Sequence, residues 1–412
     1  MALIVQKFGG TSVAGIPQIQ NAARRIAYEC KRGHKVVAVV SAMAGMTDQL
    51  LSYIQATTPH PNPQEIDVVL TSGEQITCGL LALALQNFNI SARSFLAWQL
   101  PLETDATHTK ARIREISTQV LEKTLDANVV PIIAGFQGIS PEGRLTTFGR
   151  GGSDVTAVAL AAVLKADRCD LYKDVSGIYT ADPKIVAQAR KLDQIGYKSM
   201  LELASLGSKV IQHRAVELAM TYKIPLRIFS SFEESIGTQI IDEEQMIERP
   251  LISGIVANTQ EVKVSLEITH EPAKTMARLF ECLAQAHISV DMIQHAQLSK
   301  AHPFSLSFTI HQTDLQTCLH IFEKEGISAY TIDEKMTKVS VVGVGLRSHG
   351  HLTSLLFQTL SAKNIDLFGI STSEIRTSVL INQDFTELAV RTLHHAYDLE
   401  HSPHTPHLYV IA

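Results

Sequence analysis

The stretch best suited to chemistry is Thr147-Phe148-Gly149-Arg150-Gly151-Gly152-Ser153-Asp154, which leads into the apolar run 155–164. Three glycines around one arginine serve a plain turn poorly. They suit a site where backbone amides and a planar guanidinium wrap an anionic group. Five other segments carry usable groups. Lys7-Phe8-Gly9-Gly10-Thr11-Ser12 offers a full charge and glycines that let N–H groups approach an anion. It reads equally well as a tight strand-to-helix turn with a surface lysine, and it is not a Walker A loop. Ser41 to Asp48 supplies small and hydroxylated residues for a polar ligand, or a helix N-cap by Thr47 or Asp48. Thr71-Ser72-Gly73-Glu74-Gln75 places a carboxylate after a strand and a glycine. There it suits an ammonium group, although a first-turn glutamate favoured by the helix dipole is the simpler reading. The aspartate-bearing loop 170–183 and Gly207-Ser208-Lys209, within a helical run, are each ambiguous alone.

Elements must position these groups. Leu3–Gln6 reads as an apolar strand running into Gly9-Gly10, and Lys35–Val40 as a β-branched strand ending at Ser41. Asp67–Leu70, Val129–Ala134 and Leu226–Phe229 read as further strands. Ile19–Tyr28, Thr156–Leu164 and Met200–Tyr222 have helical spacing. Strands alternating with helices predict an α/β fold with a mainly parallel sheet covered on both faces, and ligands beyond the carboxyl ends of its strands. The acidic, aperiodic stretch Glu233–Pro250 predicts a domain boundary. An internal repeat follows. Val262–Ile268, a helix with Leu279-Phe280 and Leu283, Ile288–Ile293 and Phe304–Ile310 form one copy. Lys338–Val342, a helix with Leu356-Phe357 and Leu360, Ile365–Ile370 and Arg376–Ile381 form the other. Strand, helix, strand, strand, twice over, predicts two small α+β modules that pack on each other or on a partner chain.

The 412 residues predict two to four domains. A net charge of −5 gives no electrostatic case for nucleic acid or an anionic membrane, so an anionic substrate is held by local positive charge. Five scattered cysteines without a C-x-x-C pair predict reduced thiols and a cytoplasmic setting. The N-terminus has no signal-peptide pattern.

Together the six segments resemble the aspartate kinase branch of the amino-acid kinase family, over essentially the whole chain. K-F-G-G-T-S and G-R-G-G-S-D are highly specific as a pair. The resemblance implies an amino-acid-kinase-like sheet sandwiched by helices at 1–240, followed by two ferredoxin-like ACT modules at 251–335 and 336–403, the first completed by a last strand at 404–412. It implies transfer of the ATP γ-phosphate to the side-chain carboxylate of L-aspartate, with Mg²⁺. Lys7, Phe8, Gly9 and Gly10 would sit at the phosphates with Ser41 nearby. Thr47 and Glu74 would contact aspartate, Glu74 through the ammonium group. Arg150 would grip the α-carboxylate beside Gly151, Gly152 and Ser153, and Asp154 would orient Lys7. Asp174, Tyr179, Asp182 and Lys184 would help hold the nucleotide, and Lys209 its phosphates. Asp291, Met292 and Gln294 would face an amino-acid effector, and the modules would form a homodimer or higher oligomer.

The chain departs from this pattern in places. Lys173 stands where threonine is usual, either adding a phosphate contact or pointing to solvent. His213 replaces a usual proline. His270-Glu271-Pro272-Ala273 and Arg347-Ser348-His349-Gly350-His351 replace turns that usually carry Pro-Gly, with His351 where glycine is expected. A side chain at φ > 0 is disfavoured, so weak, altered or absent feedback by lysine or threonine is expected. The tail histidines His394, His395, His401, His404 and His407 read as solvent-exposed, without a metal. Met246 resembles the internal start from which some relatives make a separate tail subunit.

Overall fold

The computed structural model describes residues 1–208, 210–246, 250–296 and 304–401. The chain forms two compact units. The first comprises Met1–Ile178 and Lys191–Glu248, the second Tyr179–Arg190 and Arg249–Ala412.

The first unit begins with β1 (Leu3–Phe8), α1 (Ile16–Lys31), β2 (Lys35–Val40), α2 (Met46–Thr57) and α3 (Pro63–Gln86). Then come β3 (Ala92–Phe95), β4 (Leu102–Thr104), β5 (Ile113–Ile116), α4 (Gln119–Asp126), β6 (Val130–Ala134), β7 (Gln137–Ile139) and β8 (Leu145–Thr147). It ends with α5 (Gly152–Val163), β9 (Arg168–Lys173), β10 (Gln194–Gly196), α6 (Tyr197–Ser205), α7 (His213–Tyr222), β11 (Leu226–Ser230) and β12 (Thr238–Ile241). The main sheet runs β10-β12-β11-β9-β1-β2-β6-β3. The six strands from β11 to β3 are parallel; β12 meets β11 antiparallel. β1, β2 and β6 are almost wholly buried, which explains their unbroken apolar runs. The small sheet β5-β4-β7-β8 stands apart from the main sheet.

One predicted strand is a helix. Asp67–Leu70 lies in α3, which starts where Asn62 Oδ1 accepts from Gln64 N (2.9 Å) and Pro63 takes the first turn. The misleading signal was Gly73. It sits mid-helix because a Cβ there would lie 2.8 Å from the Ala42 Cβ, so glycine serves close packing here and not a turn. By length and composition α3 is apolar enough to cross a membrane, but its buried face carries Asp67, Thr71, Glu74 and Thr77, as a core helix around a polar site does. The helical run 200–222 is interrupted: α6 ends at Ser205, Gly207 takes φ 116°, and α7 starts at His213 with Gln212 as its N-cap. Lys209 lies outside the described residues.

The second unit contains β13 (Gly254–Ile268), α8 (Pro272–Gln285), β14 (Val290–Ala296), β15 (Phe304–His311), α9 (Leu315–Glu325) and β16 (Tyr330–Val342). It continues with α10 (Gly350–Ser361), β17 (Gly369–Thr372), β18 (Arg376–Asn382) and α11 (Thr386–Ala396). Both repeats join one antiparallel sheet, β14-β15-β13-β16-β18-β17, with the long strands β13 and β16 paired at its centre. Each repeat adds a second helix, α9 or α11, that the repeat pattern did not give. The stretch 404–412 lies outside the described residues.

Neither module turn holds a side chain at φ > 0 at the position where glycine is usual. His351 is in the first turn of α10, and the left-handed residue of the first repeat is Glu271 (φ 41°), not Ala273. Contrary to expectation, His394 is buried on α11, its Nε2 2.9 Å from Thr180 Oγ1. Burial holds its pKa below the usual histidine value.

Candidate active site

Gly9 and Gly10 follow β1, Gly45 comes shortly after β2, and Gly135 follows β6 directly. β1 and β9 are neighbours, and the chain continues from β1 to β2 on one side but from β9 to β10, β11 and β12 on the other, which opens between them the crevice where such folds bind ligands. Gly10 passes so close to the segment after β2 that a Cβ would lie 3.1 Å from Ala42 O. At the end of β6, a Cβ on Gly135 would fall 2.8 Å from Ser153 Cβ and 2.9 Å from Val40 O, so only glycine lets the start of α5 reach the sheet. Gly151 takes φ 77° as the N-cap of α5, and a Cβ on Gly152 would strike Phe148 and Phe136.

This packing delivers Asp154, in the first turn of α5, to the ends of β1 and β9. Asp154 Oδ1 is 2.6 Å from Lys7 Nζ, and Lys173 Nζ is 2.9 and 2.7 Å from Oδ1 and Oδ2. All three groups are largely or wholly buried. Burial opposes ionisation of Asp154, but the charges of Lys173 and then Lys7 outweigh it and hold the carboxyl at about 2. Burial is also the main influence on Lys173; with repulsion from Lys7 it outweighs the pull of Asp154 and brings the ammonium down to about 8. Two cations on one carboxylate leave a net positive centre. Lys173 therefore does not point to solvent, and the cluster is what a phosphoryl group needs.

Glu74 lies mid-helix in α3, not after a strand. It is buried; Oε1 accepts from Ala42 N (3.0 Å), and Oε2 has no hydrogen-bond partner among the described residues. Burial raises the carboxyl to about 7, against the lowering pull of the Ala42 amide. A buried carboxylate with one open oxygen invites a cationic ligand. Arg150 is exposed between two left-handed glycines, Gly149 and Gly151, and is thus held out from the fold. Ser41 directly follows β2, and Thr47 sits in the first turn of α2, behind the left-handed Gly45. Gly9 N–H is already engaged, donating to Tyr172 O (3.2 Å), so Gly9 shapes the loop and its amide is not spare.

Other predicted residues lie elsewhere. Asp174 is exposed just past β9. Tyr179, Asp182 and Lys184 belong to the second unit, where Asp182 Oδ1 accepts from Lys184 N (2.9 Å). Asp291, Met292 and Gln294 are on β14. Asp291 Oδ2 is 2.8 Å from Lys338 Nζ, which also meets Glu261 Oε1 at 2.7 Å. Met292 is buried at φ 48°, and Gln294 Nε2 donates to Ile370 O (2.8 Å). Sequence reading missed Asp67 and His108, and with them the buried group they form with Thr147 beside the Arg150 loop. Reading 67–74 as one helix was the available signal, since Asp67, Thr71 and Glu74 then share a face.

The sequence model of the amino acid kinase family matches residues 2–230, and that of an ACT domain matches residues 339–397. An aspartate kinase of Stutzerimonas stutzeri is 44% identical over 405 residues, covering 97% of this chain and 98% of the relative. Aspartokinase 2 of Bacillus subtilis is 42% identical over 407 residues, covering 98% and 99%. Among solved structures, E. coli aspartokinase III with aspartate and ADP in its R-state matches with a TM-score of 0.82 at 24% identity, covering 96% of this chain and 99% of that one. The same enzyme with lysine and aspartate in its T-state matches at 0.73 and 25%, covering 95% and 99%. With the cation centre, the buried glutamate and these full-length likenesses in hand, the chain belongs to the amino acid kinase family, on its aspartate kinase branch.

Proposed function

We propose that the Lys7–Asp154–Lys173 centre receives the transferring phosphoryl group of ATP while Glu74 and Arg150 hold L-aspartate by its ammonium and α-carboxylate. The reaction is that of the family: the side-chain carboxylate attacks the γ-phosphorus and 4-phospho-L-aspartate and ADP leave, opening the route to lysine, threonine, methionine and diaminopimelate. The observation carrying the assignment is the buried carboxylate of Asp154 shared by two ammonium groups.

The acceptor carboxylate, with a pKa of about 4, is already ionised at neutral pH, so no general base is required. The obstacle is the approach of one anion to a polyphosphate. Lys7 and Lys173 offset that repulsion, and Asp154 keeps both ammonium groups side by side while cancelling only one of their two charges. Thr47 and Ser153 complete the amino-acid side; Phe8, Gly10 and Ser41 line the phosphate side. Lys209, Asp174, Tyr179, Asp182 and Lys184 are assigned to the nucleotide by resemblance.

Mg²⁺ fits the nucleotide better than the protein. It takes oxygen ligands, and among the described residues no cluster of three acidic or histidine side chains exists; Asp154 is taken up by its lysines. Bound with the phosphates, Mg²⁺ would supply further charge neutralisation, and the exposed Asp174 would be the carboxylate beside Lys173 able to approach it. The ACT region is assigned an amino-acid effector around Asp291, Met292 and Gln294, because a structurally similar aspartokinase carries lysine in its T-state, and a homodimeric or larger assembly. The protein is assigned to the cytoplasm.

The test is acyl-phosphate formation by purified protein with ATP, Mg²⁺ and aspartate, trapped with hydroxylamine. Product with aspartate, absent in Lys7→Ala, supports the assignment; no hydroxamate from the wild type overturns it.

A further inference from the structure

Asp67 is fully buried on α3, seven residues and two helical turns before Glu74, on the same face of the helix. The chemistry above does not use it. Both its carboxylate oxygens are committed to chain flanking Arg150. Oδ1 accepts from Thr147 Oγ1 (2.6 Å) and Thr109 N (3.2 Å). Oδ2 also accepts from Thr109 N (3.0 Å) and lies 2.8 Å from His108 Nδ1. Thr147 ends β8, three residues before Arg150. Thr109 is held at φ 68°, a costly conformation for a β-branched residue, and its carbonyl lies 3.3 Å from where a Cβ on Gly149 would stand. The two loops are tied again where Ala111 N donates to Thr147 O (2.9 Å) and where Arg214 donates to Phe148 O (3.2 Å) and Ala111 O (3.0 Å). One buried carboxylate thus fastens the approach to Arg150 onto the helix that carries Glu74.

We propose that Asp67 is a positioning residue that fixes the spacing between Glu74 and Arg150, and with it the length of amino-acid dicarboxylate the site accepts. This rests on the assignment of those two residues to the substrate's ammonium and α-carboxylate. A substrate pinned at both groups presents its side-chain carboxylate at a reach set by that frame. Aspartate and the homologue one methylene longer, glutamate, differ in that reach alone. A single methylene is commonly discriminated by about 10–200-fold, and a loosened frame gives that up.

Asp67→Asn keeps the size and removes one acceptor oxygen; Thr147→Val removes a hydroxyl and little else. Hydroxamate assays with aspartate and with glutamate, the KM for ATP, and thermal midpoints are measured for each. The expected result is a tenfold or greater rise in KM for aspartate, a KM for ATP within twofold of wild type, and a fall in the aspartate-to-glutamate ratio of kcat/KM, with Thr147→Ser restoring the aspartate KM and the ratio. Equal changes in both KM values overturn the inference, as does a lowered midpoint with aspartate KM and the ratio unchanged. If Asp67→Asn does not fold, Thr147→Val and Thr147→Ser decide the matter. Glu74→Gln separates two failures. If it leaves aspartate KM unchanged, the assignment of Glu74 is wrong. If it raises that KM while Thr147→Val does not, the positioning role alone is wrong.

Discussion

Lys173 Nζ lies 2.9 and 2.7 Å from the two carboxylate oxygens of Asp154, a symmetric grip that leaves Oδ1 also shared with Lys7. With its ammonium brought down to about 8, Lys173 is charged at neutral pH and loses its proton just above it. The kcat/KM for ATP should therefore fall above pH about 8 in wild type. In Lys173→Arg, whose guanidinium stays protonated, that limb should disappear. Lys173→Met should lose about 10–100-fold in kcat/KM for ATP, the scale of one hydrogen bond to a charged group. Steady-state pH profiles of the three proteins are the check.

Asp154→Asn should do harm of two kinds. It leaves two buried ammonium groups facing each other without a counter-charge, and removing one partner of a buried ion pair costs about 3–5 kcal/mol. Urea denaturation should show that loss, and kcat should fall by a larger factor than KM for ATP rises.

Glu74, raised to about 7, should make amino-acid binding depend on pH. Only its ionised form attracts an ammonium group, so kcat/KM for aspartate should rise with pH up to about 7 and level off, falling about tenfold per unit below it. Stability of the ligand-free protein should run the other way. A carboxyl raised in the fold contributes stability fully present below its unfolded value of 4.5 and lost as pH rises through about 7. The shift corresponds to at most about 3 kcal/mol. Glu74→Gln should thus flatten the kinetic profile, raise aspartate KM, and raise the thermal midpoint at pH 8 without substrates.

Two glycines of α3 should respond in opposite directions. Gly73→Ala places a methyl 2.8 Å from Ala42 Cβ and should destabilise by about 1–3 kcal/mol, raising aspartate KM because Ala42 and Glu74 are bonded to each other. Gly79→Ala meets nothing within 4 Å and should stabilise by about 0.5–1 kcal/mol through helix propensity alone. Denaturation midpoints of both, with aspartate kinetics of the first, test this.

The parallel sheet was legible because its central strands are buried on both sides and show it as unbroken apolar runs, as in Lys35–Val40, where reading and structure coincide. The repeat was legible from the alternating apolar residues of β13 and β15, which share one core, and of β16 and β18, which share another. The site's parts could be named, but not their mutual arrangement. Gly73 read as a turn because a glycine kept for close packing leaves the same letter as one kept for φ > 0. Lys173 read as ambiguous because no local pattern announces a carboxylate nineteen residues earlier on another element. Asp67 was taken for a strand residue, and its loop partners are set by tertiary contact.

Twelve residues of the kinase half, Tyr179–Arg190, are built into the second unit: Ala181 and Val186 join its apolar core, and Thr180 is bonded to His394 and Ile255. A polypeptide translated from Met246 would keep every strand of the six-stranded sheet and yet lack this loaned piece. Such a fragment would expose the imidazole and the apolar patch that the loan covers. It would then be sticky and short-lived alone, unless the longer chain lent it the same twelve residues in trans.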